Sequence, residues 1–226
     1  MALILNIETA TPVCSVCISK EEKILSVKEI NQGLTHAENL HSFIESTLKE
    51  SGISVKELNA VALSKGPGSY TGLRIGSSAA KGLAFALQLP LISIDTLQAM
   101  AFGMRNDLNK ESLLCPMLDA RRMEVYTALY DSDLNIIEPI QALVMDSVTS
   151  EIFKRKEQII FFGEGMSKCK SILETYKNAV FAENVFPSAS NLASLAFKKF
   201  RENSFEDLAY FEPLYLKEFF TPAKKS

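Results

Sequence analysis

Gly66-Pro67-Gly68-Ser69-Tyr70-Thr71-Gly72 is where this sequence comes nearest to chemistry. The segment follows a short apolar run at 61–64 and precedes a long stretch of helical character. A strand, a glycine-rich loop and a helix N-terminus together aim several backbone N–H groups at one point, which suits an anion such as a phosphate. It is not a Walker A loop, because Leu73 stands where that motif needs Lys. Nor is it the dinucleotide fingerprint, because Thr71 takes the third glycine position. Its plainer role is a tight turn that lets the following helix pack closely on a sheet. Glu8-Thr9, at the end of the first apolar run, adds a carboxylate and a hydroxyl.

Other clusters invite a chemical reading and lose it on spacing. Cys14 and Cys17 form a C-x-x-C, but they fall in a run where side chains alternate across a strand, so an odd offset sends them to opposite faces. No second pair completes a zinc site, and the thiols read as ordinary core. His36 and His41 flank Glu38. Five residues along a helix is about 140° around its axis, whereas zinc-binding pairs use a spacing of four. With two His in the chain, both in this stretch, a Ser/His/Asp triad would be hard to build.

The elements that must hold these groups follow from the pattern along the chain. Apolar runs at 3–7, 13–18 and 24–30 are joined by links short enough to be hairpins, which predicts an antiparallel meander. Thr35 and Glu38 have capping-box spacing and predict a helix to about Glu50, stopped by Gly52. Ser54 and Glu57 repeat the box at a short helix. A strand at 61–64, the glycine loop, and a helix from Gly72 to about Gln88 follow, with Pro90 barring continuation. A strand at 91–94 then leads to a helix capped by Asp95 that runs to about Met104. That β-β-β-α-β-α-β-α order is the ribonuclease-H-like lobe, the unit duplicated in actin, Hsp70 and sugar kinases.

A fainter second copy begins near Leu113. Strands are expected at 113–118, 125–130, 136–144 and 159–162, with helices near 147–156 and 167–176 and a last helix from Ser190 to about Phe200. The fold class is therefore α/β, with duplicated actin-like lobes of mixed sheets flanked by helices. Residues 1–104 form the first lobe and 105–189 a smaller second lobe, divided near the polar stretch 105–111. Residues 190–226 form a C-terminal helix and tail packing back near the junction, with TPAKKS as a frayed end. Fold alone does not fix function.

The chain has 226 residues, 47% hydrophobic and 23% charged, with a net charge of −3. It reads as a soluble globular protein. Autonomous nucleic-acid binders carry a basic excess that is missing here, so RNA would be met through a partner. The start MALILNIETATP lacks the basic residues of a signal peptide. No apolar window approaches the roughly 18 residues of a membrane span. A cytoplasmic location away from membranes is expected.

Within an actin-like lobe, Glu8 and Thr9 come to the place where such folds hold an acid and a hydroxyl near phosphate and Mg²⁺. A weak ATP or ADP site would draw on Glu8, Thr9, Gly66, Pro67, Gly68 and Ser69; no cofactor is required, and a role for Mg²⁺ stays open. The second-lobe clamp would be Leu118-Asp119-Ala120-Arg121-Arg122, which has Asp119 but no glycine turn. That argues against an independent kinase. The helix after the glycine loop has two apolar stripes: Leu73, Gly76, Ala80, Leu83 and Leu87 on one, Ile75, Ala79, Gly82, Ala86 and Leu89 on the other. One stripe suffices for a surface helix. The second calls for cover by the other lobe or by another chain. Leu40, Ile44, Arg74, Ile75, Ser78, Ala79 and Gly82 are the expected partner or dimer interface. No catalytic residue and no metal ligand are assigned.

These stretches resemble the TsaB/YeaZ family: ILNIETAT, GPGSYTGLRIGSSAAKGLA, PLISIDTLQAMA, LDARRMEVY and EPLYLK, spread from end to end of the chain. Glu8 departs from the family's more frequent Asp. The family is similar to the catalytic TsaD/Kae1 proteins, which transfer a threonylcarbamoyl group to N6 of an adenosine in certain tRNAs and carry a metal-binding H-x-x-x-H. Thr96 and Met100 stand at those positions here, and neither suits a catalytic iron or zinc. The resemblance implies a non-catalytic scaffold or activating subunit. It implies pairing with a TsaD homologue through the two N-terminal helices, a TsaE-type ATPase in a larger complex, homodimers when alone, and indirect contact with tRNA. The alternatives are an actin-fold ATPase or kinase, an M22-type metallopeptidase homologue, and a structural dimer unrelated to tRNA.

Overall fold

Residues 1–33, 35–105 and 111–217 are described by the structure, a computed structural model. Strands β1 (Leu3–Glu8), β2 (Val13–Lys20) and β3 (Lys23–Asn31) form the expected antiparallel meander. Nearly every residue of β1 and β2 is buried, as in a sheet covered on both faces. The edge strand β3 has exposed positions along its whole length.

Helix α1 (His36–Ser51) ends on Gly52, whose φ of 68° is the left-handed conformation that glycine tolerates best. Its start differs from the expectation. Thr35 occupies the N-cap position but its side chain makes no capping bond. With φ −100° and ψ 14°, its backbone is not in the extended form that aims a hydroxyl at the first turn. Ser54 does close its box: its hydroxyl accepts from the Lys56 amide, and Glu57 accepts from the Ser54 amide at 2.7 Å.

Strand β4 (Ala60–Gly66) lies parallel to β1, and β5 (Leu91–Asp95) parallel to β4. Between them runs α2 (Tyr70–Leu87), which starts two residues before Gly72 because Ser69 caps it, accepting from the Gly72 amide at 3.3 Å. Helix α3 (Thr96–Met104) follows β5 without a capping bond from Asp95. The first sheet has the order β3-β2-β1-β4-β5.

The second sheet repeats this plan. Strands β6 (Leu113–Asp119), β7 (Glu124–Tyr130) and β8 (Ile136–Val144) form a second meander, and β9 (Ile159–Phe162) runs parallel to β6. Helix α4 (Met166–Leu173) leads to β10 (Ala179–Ala182), parallel to β9, giving the order β10-β9-β6-β7-β8. One expectation is corrected, and one strand was not expected. The helix near 147–156 is a 3₁₀ turn, Thr149–Phe153. The four-residue strand β10 is too short to register as a period. Of the stretch expected to divide the lobes, residues 106–110 lie outside the described residues, as does TPAKKS.

The last helix, α5 (Ala193–Arg201), is preceded by a 3₁₀ turn, Ala189–Leu192, whose cap is Ser188 rather than Ser190. Its outer residues Ser194, Lys198 and Arg201 border a pocket shared with Gln98 and Phe102 of α3 and residues 133–135 of the second lobe, and its inner face packs on the first sheet. Leu192 and Ala196 cover Ile4, Ala62, Ile92 and Ile94, closing the face of the first sheet opposite α1 and α2. Beyond α5 the chain returns to β5, with the Glu206 amide donating to the Leu91 carbonyl, and residues 214–217 reach the space between the lobes. The lobes meet along an apolar seam in which Leu97 and Met100 of α3 contact Leu114, Leu118 and Tyr130. Among the described residues, no helix is long and apolar enough to cross a membrane.

Candidate functional site

A cleft of about 450 Å³ lies between the lobes, lined by the β1–β2 turn at 10–12, the glycine loop at 67–71, the β6–β7 turn at 118–121, Glu164 and residues 214–217. The glycine loop in its wall is drawn tight against the first hairpin. The Ser69 amide donates to the Ala10 carbonyl at 2.6 Å, so this N–H is held by the chain itself. A Cβ on Gly68 would overlap the Ala10 carbonyl, and one on Gly72 the Thr9 carbonyl. Glycine stands at both because backbone meets backbone there, which is the packing role read from the sequence. Gly72→Ala is accordingly expected to lower stability by about 2 kcal/mol, since the overlap outweighs the gain in helix propensity. Urea denaturation measures it, and an unchanged midpoint would refute the close approach.

The fold divides the six residues expected to form a nucleotide or anion site. Pro67, Gly68 and Ser69 line the cleft. Glu8 and Thr9 are shut beneath it, both buried, and the carbonyl of Leu214 lies against Gly66. One Glu8 oxygen accepts from the Ala10 amide at 2.6 Å and the Ser64 hydroxyl at 2.8 Å. The other is buried and makes no close hydrogen bond. Burial pushes this carboxyl up from 4.5 to about 7, only partly offset by those bonds and by the Thr9 backbone amide. On the facing wall, Asp119 accepts from the Arg121 amide at 2.8 Å and pairs with Lys168. The turn closes without glycine because Arg121 and Arg122 both adopt positive φ, 67° and 50°. Sequence reasoning misses Glu164. The Gly163-Glu164-Gly165 loop follows β9 as the glycine loop follows β4, and a G-x-G directly after an apolar run is the signal that could have found it.

The second candidate surface is a shallow groove between α1 and α2, lined by Ala37, His41, Arg74, Ile75, Ser78, Ala79, Gly82 and Leu83. Arg74, Ile75, Ser78, Ala79 and Gly82 are all among the expected interface residues; Ala37, His41 and Leu83 are not. Leu40 and Ile44 are corrected. At 0% and 7% exposure they point into the lobe's own core with Leu5, Val16 and Leu63, and Ala79, though it lines the groove, is 8% exposed and belongs to the same core. Helix α1 has one apolar stripe, and its sheet consumes it. Helix α2 differs. Leu73, Gly76, Ala80 and Ala84 are buried, yet Ser78, Gly82 and Ala86 of its other side are exposed and Phe85 is 77% exposed. The second lobe does not cover that side. His36 is buried with Nε2 3.1 Å from the Val13 carbonyl oxygen, while His41 is exposed on the groove.

Residues 24–224 match the TsaD family model, described as tRNA N6-adenosine threonylcarbamoyltransferase. The tRNA threonylcarbamoyladenosine biosynthesis protein TsaB of Escherichia coli (strain K12) is 31% identical over 222 residues, which are 95% of this chain and 94% of that protein. The chain belongs to the TsaB/YeaZ family. The TsaB of Haemophilus influenzae is 28% identical, over 95% of this chain and 93% of its own. YeaZ from Pseudomonas aeruginosa is similar in structure, with TM-score 0.81 and 25% identity over 96% of this chain and 100% of that one. An activator of 2-hydroxyisocaproyl-CoA dehydratase from Clostridium difficile, solved with bound ADPNP, shares the fold alone, at TM-score 0.54 and 10% identity.

The TsaB/YeaZ assignment directs attention to Thr96 and Met100. Both are buried, Thr96 at the first turn of α3 and Met100 within the inter-lobe seam. Neither is a strong metal ligand. Among the described residues no group of three or more His, Cys, Asp or Glu could hold a metal ion. Cys14, Cys17, Cys115 and Cys169 are buried and free, and burial pushes Cys17 up to about 12 and Cys14 to about 11. Such thiols are inert.

Proposed function

We propose that this chain is a non-catalytic subunit that docks a TsaD-type transferase on its α1–α2 groove and is needed by that partner to form N6-threonylcarbamoyladenosine in tRNA. The observation that carries the reading is Gly82. It lies inside α2, exposed, and a Cβ built on it would meet nothing within 4 Å. A glycine inside a helix costs about 1 kcal/mol relative to Ala. Nothing within reach of that Cβ requires it, unlike Gly72. Close approach by a second helix from another chain does. Ser78 and Ala86, four residues to either side, extend the same low surface.

The family supports the partner's identity, because the related proteins are named for threonylcarbamoyladenosine biosynthesis. Thr96 and Met100 support the absence of transfer chemistry in this chain. The same surface serves a homodimer when the partner is missing, a TsaE-type ATPase joins the larger complex, and tRNA is met through the partners in the cytoplasm. No cofactor is required. Any ATP or ADP bound by the chain alone is held weakly, since the Ser69 amide is already engaged.

Reconstitution tests this. The chain alone is expected to give no transfer of threonylcarbamoyl to tRNA and no stoichiometric iron or zinc, and transfer by the TsaD-type partner is expected to depend on adding it. Turnover by this chain alone, with stoichiometric metal, would sink the reading.

A further inference from the structure

The two sides of the inter-lobe cleft are closed by different means. On one side the apolar seam of α3 against β6 and β7 joins the lobes. On the other, residues 214–217 form part of the cleft wall. The Leu214 amide donates to the Lys65 carbonyl at 2.7 Å, beside the end of β4. The Leu214 carbonyl oxygen lies 2.8 Å from where a Cβ on Gly66 would sit, so glycine is what lets the segment pass. The Tyr215 ring packs on Tyr70, the first residue of α2, with centroids 4.8 Å apart. Lys217 then pairs with Glu124, the first residue of β7. Three residues in a run of four thus grip the first lobe by a backbone bond and a ring contact, and the second lobe by a charge. Among the ion pairs of the described residues, Lys217–Glu124 is the one that ties this end of the chain to the second sheet.

We propose that residues 214–217 are a strap that latches the lobes across the cleft, so that the chain's own C-terminal segment sets how far the cleft opens. The seam along α3 is the hinge side and the strap the latch side. A ligand entering the cleft shares its wall with Tyr215 and Lys217, and the strap must yield for the walls to part. Arg74 of the groove lies over the Tyr70 ring at 4.1 Å, on the rim of the latch.

Hydrogen exchange on the full chain tests the strap. In Tyr215→Ala/Lys217→Ala, the Leu214 amide and the wall amides at 68–71 and 118–121 are expected to exchange on the order of tenfold faster than in the wild type, with β1 unchanged. Tyr215→Phe/Lys217→Arg keeps the ring and the charge and is expected to restore wild-type rates. Glu124→Gln takes away only the charge of the second-lobe anchor and is expected to loosen the same walls, to a lesser degree. It also keeps the test decisive should circular dichroism show that the double alanine variant misfolds. Wall amides at wild-type rates in Glu124→Gln, or in a folded double alanine variant, overturn the latch. So does a Leu214 amide already unprotected in the wild type.

Discussion

Ser78→Arg is expected to weaken binding to the TsaD-type partner by about 100-fold or more and to abolish self-association, while the chain stays folded. Ser78 is exposed on the outer side of α2, so an arginine there meets solvent in the free chain and costs the fold little. In a closely packed helical interface the same guanidinium must be desolvated without a counter-charge, which costs several kcal/mol. Ile75→Glu acts at the same groove but is a less clean probe, because Ile75 packs in part against the first-lobe core. Gly82→Ala separates docking from folding further. It is expected to stabilise the free chain by about 1 kcal/mol and yet weaken association, because the new methyl stands where a partner helix must approach. Light scattering reads self-association, circular dichroism reads folding, and calorimetry with the partner reads affinity. A folded Ser78→Arg that still binds as the wild type does would place the interface elsewhere. A Gly82→Ala chain that binds unchanged would show that no partner helix comes close to that glycine.

The legibility of each element depended on whether the deciding contact was local. The first meander was legible because its period of two and its short links leave few other pairings. The double stripe of α2 was half legible: Gly82 and Ala86 are exposed as its second stripe suggests, but Ile75, Ala79 and Leu89 of that stripe pack against the first-lobe core. Leu40 and Ile44 were misplaced for a related reason: a sequence shows that α1 has an apolar stripe, but not that its own sheet takes all of it. Thr35 and Glu38 had the right spacing and the wrong backbone, since φ and ψ at a cap are set by where the preceding strand arrives. Residues 206–217 carried no period at all. Their course is fixed by contacts with Leu91, Lys65 and Glu124, far away in the chain, and such contacts leave no local pattern. The glycine loop stands out in the sequence, but its purpose was decided only by the carbonyls of Thr9 and Ala10 lying where side chains would be.

Glu8→Gln is expected to stabilise the chain at pH 8 by roughly 3 kcal/mol and to leave it nearly unchanged at pH 4. Glu8 is fully buried, its carboxyl raised by that burial from 4.5 to about 7. Between those values the folded chain keeps a proton that the unfolded chain has released. Folding therefore binds a proton across this window, and stability falls as pH rises from about 4.5 to 7, then levels off with the burial of the charge fully expressed. A glutamine has the shape of the protonated acid and carries no charge to desolvate. Its carbonyl oxygen can keep the bonds from the Ala10 amide and the Ser64 hydroxyl. Urea denaturation of both proteins from pH 4 to 8 isolates the effect, because the other titrating groups cancel in the difference between the two curves. The two are expected to converge at acid pH and separate above about pH 5. A difference that is flat across the range, or that favours the glutamate at pH 8, would mean that Glu8 is held as a carboxylate. The buried oxygen would then need a cationic partner, and the reading of Glu8 as an acid shut away from the cleft would fail.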